Sequence, residues 1–255
     1  MNTIGIIPAR LASTRFPRKP LAKILGRPMI EHVFRRAEQA KLINDLYIAT
    51  CDREIALAAE SFGCKAIMTS DAHVRGTDRV AEAAEKIEAD IILNIQGDEP
   101  LLDPESLDAA ISVMINNKNV HCMNLISTIK DWKFFIDPNV IKTVIDENNK
   151  VLYFSRQPIP TVSQDEFKAA FKQIGIYIFR KEFLLKFSRW QETPLEKIEK
   201  IDMLRILERG FSVEAFHAKD MISVDTTVDL ALAEQMLLKD PLTPQIFKQG
   251  VGLNK

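Results

Sequence analysis

Apolar residues fall into short runs separated by polar turns, and two periods alternate along the first half of the chain. Residues from about 3 to 8 form one apolar run with no polar face, as in a strand covered on both sides. From about 28 to 40, Ile30, Val33, Phe34 and Ala37 recur at helical spacing. Strands follow at about 45–50, 65–68 and 90–95, with helices at about 53–62, 77–86 and 104–116 between and after them. Asp52 suits a helix cap and Pro104 a first helical position. This rhythm predicts an α/β fold, a doubly wound and mostly parallel sheet in a three-layer sandwich.

The rhythm changes after about residue 120. Segments at about 121–129, 140–146 and 151–154 read as strands without intervening helices, the latter two joined as a hairpin by Glu147, Asn148, Asn149 and Lys150. A further strand is expected at about 175–179, helices at about 181–189, 195–208 and 228–238, and late strands at about 213–216 and 222–224. Residues from about 240 onward read as a tail.

Charge narrows the function. The net charge of −1 argues against a broad nucleic-acid surface. The thiols Cys51, Cys64 and Cys122 are odd in number and form no C-x-x-C pair, so reduced cysteines in a cytoplasmic protein are expected. No leader-like segment opens the chain, and no apolar run reaches the ~18 residues of a membrane span.

Against that neutral background, one loop stands out. The first strand runs into Pro8-Ala9-Arg10-Leu11-Ala12-Ser13-Thr14-Arg15-Phe16-Pro17-Arg18-Lys19-Pro20, with four cations and no acid. Ligands of open α/β sheets bind beyond the carboxyl ends of the strands, so a basic loop there suits a polyphosphate. Neither a Walker loop nor a G-x-G-x-x-G fingerprint is present. An acidic counterpart follows the strand at 90–95, in Gln96-Gly97-Asp98-Glu99-Pro100, and Asp225 follows the late strand at 222–224. Each aspartate alone also suits a turn or helix cap. As a pair opposite the cations, they could share a divalent ion such as Mg²⁺. His73-Val74-Arg75-Gly76-Thr77-Asp78-Arg79 is a third loop, at a helix start, that suits a base edge or phosphate.

In order and spacing, I-I-P-A-R-L-A-S-T-R-F-P-R-K-P-L, H-V-R-G-T-D-R, N-I-Q-G-D-E-P, L-Y-F-S-R, G-I-Y and V-D-T make the chain resemble the CMP-Kdo synthetases over about residues 1–238. These are 3-deoxy-manno-octulosonate (Kdo) cytidylyltransferases. The resemblance implies a Rossmann-like nucleotidyltransferase sheet over residues 1–240, with a smaller antiparallel dimerisation subdomain at about 130–190, a homodimer, and a tail at 241–255. It implies transfer of CMP from CTP to the anomeric hydroxyl of Kdo or a modified 2-keto-3-deoxy sugar acid, for lipopolysaccharide or capsule synthesis, with two Mg²⁺ ions when CTP is bound. By the same resemblance Arg10, Lys19 and Asp98 are catalytic. Ala9, Arg10, Ser13, Lys19, Gly76, Thr77 and Arg79 meet CTP, and Asp98 and Asp225 hold the metal. Gln96, Arg156, Gln173, Tyr177, Asp202 and Met203 meet the sugar acid.

Several of these positions depart from the family pattern. Arg18 stands where the family's P-G-K-P has glycine, and Arg75 where its S-G-T has serine. Gln173 replaces a histidine, and Asp202 and Met203 replace Glu-Gln of L-E-Q-L-R. A methionine facing a buried substrate hydroxyl would cost roughly 1–3 kcal/mol, which points to an amino- or deoxy-substituted acceptor or to Kdo held differently. The rival readings are a cytidylyltransferase for a sialic-acid-like sugar or a phosphonate, the latter needing Arg156 or Arg180, and a non-catalytic nucleotide-binding relative.

Overall fold

The computed structural model describes residues 1–12 and 16–248. In chain order, β1 (Thr3–Ala9) leads through a 3₁₀ turn (Lys19–Leu21) to the small hairpin β2 (Lys23–Ile24) and β3 (Arg27–Pro28). Next come α1 (Met29–Ala37), β4 (Asp45–Thr50), α2 (Arg53–Ser61), β5 (Lys65–Met68), α3 (Gly76–Glu85), β6 (Ile91–Ile95) and α4 (Pro104–Asn116). The second half holds β7 (Cys122–Ile129), α5 (Trp132–Ile136), β8 (Lys142–Ile145), β9 (Val151–Ser155), β10 (Ala170–Arg180) and α6 (Lys181–Ser188). It closes with α7 (Pro194–Glu199), α8 (Leu204–Glu208), β11 (Glu214–His217), α9 (Thr227–Lys239) and α10 (Thr243–Lys248).

The main sheet runs β11-β7-β10-β6-β1-β4-β5, with β8 and β9 extending from β10. β1 pairs in parallel with β4 on one side and β6 on the other, so the chain order reverses around β1. That switch point opens a crevice at the carboxyl ends of β1 and β6. β10 is antiparallel to both β6 and β7. Every residue of β1 is buried, as the unbroken apolar run requires. Its side chains alternate: Ile7 and Ala9 join α1, α2 and α4 in one core, while Ile4 and Ile6 join α3, α6 and α8 in the other. The expected three-layer α/β sandwich is the observed architecture. Among the described residues, no helix is long and apolar enough to cross a membrane.

Four local expectations change. The stretch between the strands at about 121–129 and 140–146, expected to hold no helix, holds α5, whose N-terminus Asp131 caps by accepting from the Lys133 N–H. The helix expected at about 195–208 is two helices, because Lys200 takes a left-handed conformation (φ 58°) and ends α7. Residues 222–224 form no strand; the Val224 N–H instead donates to the Asp98 carbonyl at 2.9 Å. Within the expected tail, α10 packs back on α1 and the hairpin, where Phe247 meets His32 with ring centroids 4.9 Å apart and receives the Arg27 guanidinium over its ring. Residues 249–255 lie outside the described part.

Candidate active site

The crevice brings together residues far apart in sequence. Lys19, presented by the 3₁₀ turn, places its Nζ 2.6 Å from Asp98 Oδ2 and 3.1 Å from Asp225 Oδ1. Asp98 follows β6, and Asp225 directly precedes Thr226, the N-cap of α9. The Val224–Asp98 backbone bond holds the two acidic segments side by side. Burial alone would lower the Lys19 pKa, but the Asp98 and Asp225 carboxylates outweigh it and hold the ammonium above its ordinary value. Two carboxylates converging on one ammonium form a hard oxygen set that a divalent cation fits. No third acid or imidazole joins them in a metal-binding cluster among the described residues. Mg²⁺ commonly takes one or two carboxylates and completes its shell with phosphates and water.

Ala9 ends β1 inside the core, and Arg10 beyond it is exposed at the crevice. Gly76, first residue of α3, packs against β1 and β6: a Cβ there would lie 3.3 Å from Pro8 Cγ and 3.4 Å from Gln96 Nε2. A polar chain then crosses the crevice. Gln96 Nε2 donates to Asn94 Oδ1 (3.4 Å), Asn94 Nδ2 to Thr77 Oγ1 (3.1 Å), and Thr77 Oγ1 to Asp202 Oδ2 (2.6 Å). The Gln96 backbone N–H donates to the Gly175 carbonyl at 3.0 Å. Tyr177 lies beside Asn94 in the β10–β6 register, fully enclosed, and burial, then Asp202 and Cys122, push its phenol well above the ordinary value.

Other candidates are placed differently. Arg79 turns into the α3–β5 packing and donates to Thr69 Oγ1 at 2.6 Å. Arg156 spends its guanidinium on the Glu199 and Pro138 carbonyls (2.8 and 3.0 Å). Arg180 donates to the Val120, Met114 and Asn117 carbonyls. Met203 is wholly buried in the α3-side core. Arg75 pairs with Glu192 at 3.1 Å and with buried Glu196 at 3.3 Å, tying the start of α3 to α7. Arg18 takes the left-handed conformation (φ 59°) that favours glycine, and its guanidinium pairs with Glu54. Ser13 lies outside the described residues.

Three residues at the site escaped the sequence reading. Asn94 and Asn124 are fully buried polar residues inside otherwise apolar strands. That interruption was the available signal, since a buried amide needs partners. Glu99 is buried beside Asp98, and its carboxyl is pushed up to about 8 by burial first and then by Asp98. Only its place after Asp98 hinted at it.

A family model described as Cytidylyltransferase matches residues 4–221. A 3-deoxy-manno-octulosonate cytidylyltransferase of Geobacter metallireducens is 43% identical over 242 residues, covering 90% of this chain and 95% of that protein. The solved structure of CMP:2-keto-3-deoxy-manno-octonic acid synthetase complexed with CTP is similar with a TM-score of 0.88 and 34% identity, covering 94% of this chain and 99% of that one. A 4-diphosphocytidyl-2C-methyl-D-erythritol synthase of Anaerococcus prevotii shares the fold alone, with a TM-score of 0.61 and 14% identity over 93% of this chain and 98% of that one.

Proposed function

The chain belongs to the cytidylyltransferase family, and from that premise we propose that it makes a CMP-activated sugar acid from CTP and Kdo or a modified 2-keto-3-deoxy relative, for surface polysaccharide. The anomeric oxygen attacks the α-phosphorus of CTP. The bond to the oxygen bridging the α- and β-phosphates breaks, pyrophosphate leaves with that electron pair, and the hydroxyl proton passes to solvent. Such a transfer depends on positioning and charge stabilisation. The observation that carries this reading is Lys19 bridging Asp98 and Asp225 at the carboxyl ends of the central strands.

Asp98 and Asp225 would hold Mg²⁺, which when bound offsets phosphate charge and lowers the pKa of a coordinated hydroxyl. Lys19, kept charged by its carboxylates, supplies a cation to the phosphates. Arg10 meets the triphosphate at the mouth of the crevice. The first turn of α3 offers the Gly76 and Thr77 N–H groups to the nucleotide. Gln96, just beyond β6, and Tyr177 of β10 face the acceptor. A phosphonate acceptor would need further cations there, and both Arg156 and Arg180 are committed to backbone carbonyls. That favours a hydroxyl-bearing sugar acid.

We also read the chain as a homodimer joined through residues at about 130–190. Phe134, Ile136 and Leu152 there are 50%, 47% and 59% exposed, large apolar side chains suited to burial against a second copy. Pyrophosphate release with CTP, Mg²⁺ and a panel of sugar acids tests the activity. Release with Kdo or an amino- or deoxy-substituted analogue is expected; CTP binding without release for any acid would favour the binding-protein reading.

A further inference from the structure

β10 is interrupted by an enlarged bulge beside the crevice. Gln173 pairs with Ile126 of β7 and Tyr177 with Asn124, so residues 174–176 stand opposite Leu125 alone. Bulges of this kind re-aim side chains next to functional sites. Asn124 staples this one: its Nδ2 donates to the carbonyls of Ile174 (2.9 Å) and Ile176 (3.1 Å), one on each side of Gly175. Those two carbonyls fix which way the amide faces, since only its nitrogen can donate.

Gly175, at the apex, in turn holds the end of β6. Its carbonyl accepts from the Gln96 N–H at 3.0 Å, and its N–H donates to Glu99 Oε1 at 3.3 Å. No side chain fits there, because a Cβ would sit 2.8 Å from Gln96 Cγ. Half of the buried side-chain polar atoms without partners among the described residues also gather at the bulge. Among the described residues, Glu99 Oε2, Asn124 Oδ1, Gln173 Oε1 and the Tyr177 hydroxyl are all enclosed without a hydrogen bond, and each belongs to a residue that bonds or flanks the bulge. Buried polar groups are ordinarily satisfied, so this concentration marks a place that calls for a ligand's hydrogen-bonding groups.

We propose that Asn124 is the positioning residue that sets the shape of this bulge and, through it, of the acceptor side of the site. It acts through Gly175 on Gln96, and across the strand pair on Tyr177. The inference rests on the sugar-acid reading of the site and adds to it a residue outside the nucleotide half. The ligand group it serves is a hydroxyl-bearing portion of the acceptor, which can both donate to the carboxamide and carboxyl oxygens and accept from Tyr177.

The test compares Asn124→Val with Asn124→Thr, which differ by one hydroxyl, in steady-state pyrophosphate release with Mg²⁺, CTP and Kdo. Asn124→Val is expected to raise the KM for Kdo about ten-fold or more, with the KM for CTP within about two-fold. Asn124→Thr, which keeps one donor for the bulge carbonyls, is expected to recover part of that loss. Gly175→Ala approaches the same bulge from its other side and is expected to raise the Kdo KM without adding fully to Asn124→Val in the double variant. If the wild type turns over and folded variants keep its KM for Kdo, or raise both KM values equally, the inference is overturned and the functional reading stands. If the wild type releases no pyrophosphate with any sugar acid, the functional reading fails and takes the inference with it.

Discussion

On the nucleotide side of the crevice, Lys19, Asp98 and Asp225 leave 16%, 22% and 29% of their side chains exposed, and they are charged. On the acceptor side, Asn94, Asn124 and Tyr177 form a cross-strand row that is almost wholly buried and neutral. The first half sets one ammonium against two carboxylates, a net −1 that a divalent cation reverses, and its partly exposed charges can exchange partners as ligand and metal arrive. The second half cannot adjust so cheaply. Its polar groups discriminate because leaving them unpaired is costly, which is how a site built for hydroxyls rejects a ligand that lacks them. On the proposed reading, affinity for charge and selectivity for shape thus fall to different elements around one sheet.

The comparison can be broken most severely through the wall behind the acceptor side. Arg205 of α8 and Glu196 of α7 form a buried pair with Nη2–Oε1 at 2.6 Å, and Glu196 also receives Arg75. Glu196→Leu leaves the buried Arg205 guanidinium without its carboxylate, while Arg75 keeps Glu192, so a loss of about 3–5 kcal/mol in denaturant unfolding is expected. An unchanged midpoint would show that this wall is not held by charge.

Lys19→Met probes the charged half. A fall of about 10²–10³-fold in kcat is expected, with the Kdo KM little altered. The same substitution carries a pH signature. The folded Lys19 pKa is raised above its unfolded value near 10.5, so its stabilisation is complete below that pH and is lost as pH rises through the folded value. The melting difference between wild type and Lys19→Met should therefore narrow in strongly alkaline buffer; a constant difference would contradict the ion-pair geometry.

Tyr177→Phe sharpens the other half. The ring remains and the core keeps its packing, so the expected result is a Kdo KM raised about ten-fold with CTP affinity kept. Equal effects on both substrates would merge the two halves. The smallest effect belongs to Arg18. Its left-handed backbone costs about 1 kcal/mol, its exposed pair with Glu54 returns less than that, and glycine would add unfolded-state entropy. Arg18→Gly should shift stability by no more than about 1 kcal/mol and leave kcat within about two-fold.

The same division separates what could be read from the chain from what could not. The charged half was legible because strand ends and clustered charge are both local: Arg10 and Asp98 lie just beyond recognisable apolar runs, and Lys19 closes a loop of four cations with no acid. The acceptor half depends on register. β10 runs from Ala170 to Arg180, yet only its second half looks like a strand, because Lys172, Gln173 and Gly175 interrupt the apolar period where the bulge lies. Asn94 and Asn124 look like isolated imperfections until pairing sets both beside Tyr177. The break after α7 carries no glycine or proline; Lys200 turns left-handed while Asp202 beyond it binds Thr77, a tertiary constraint with no local code.

The central claim is that Asp98, held against Lys19 and Asp225, is part of a cytidylyl-transfer centre. ³¹P NMR of wild type and Asp98→Asn, each with CTP, Mg²⁺ and Kdo, tests it most directly. The wild type should convert CTP to pyrophosphate and a CMP–sugar phosphodiester, and a folded Asp98→Asn should produce neither. Wild-type conversion by Asp98→Asn would contradict the account.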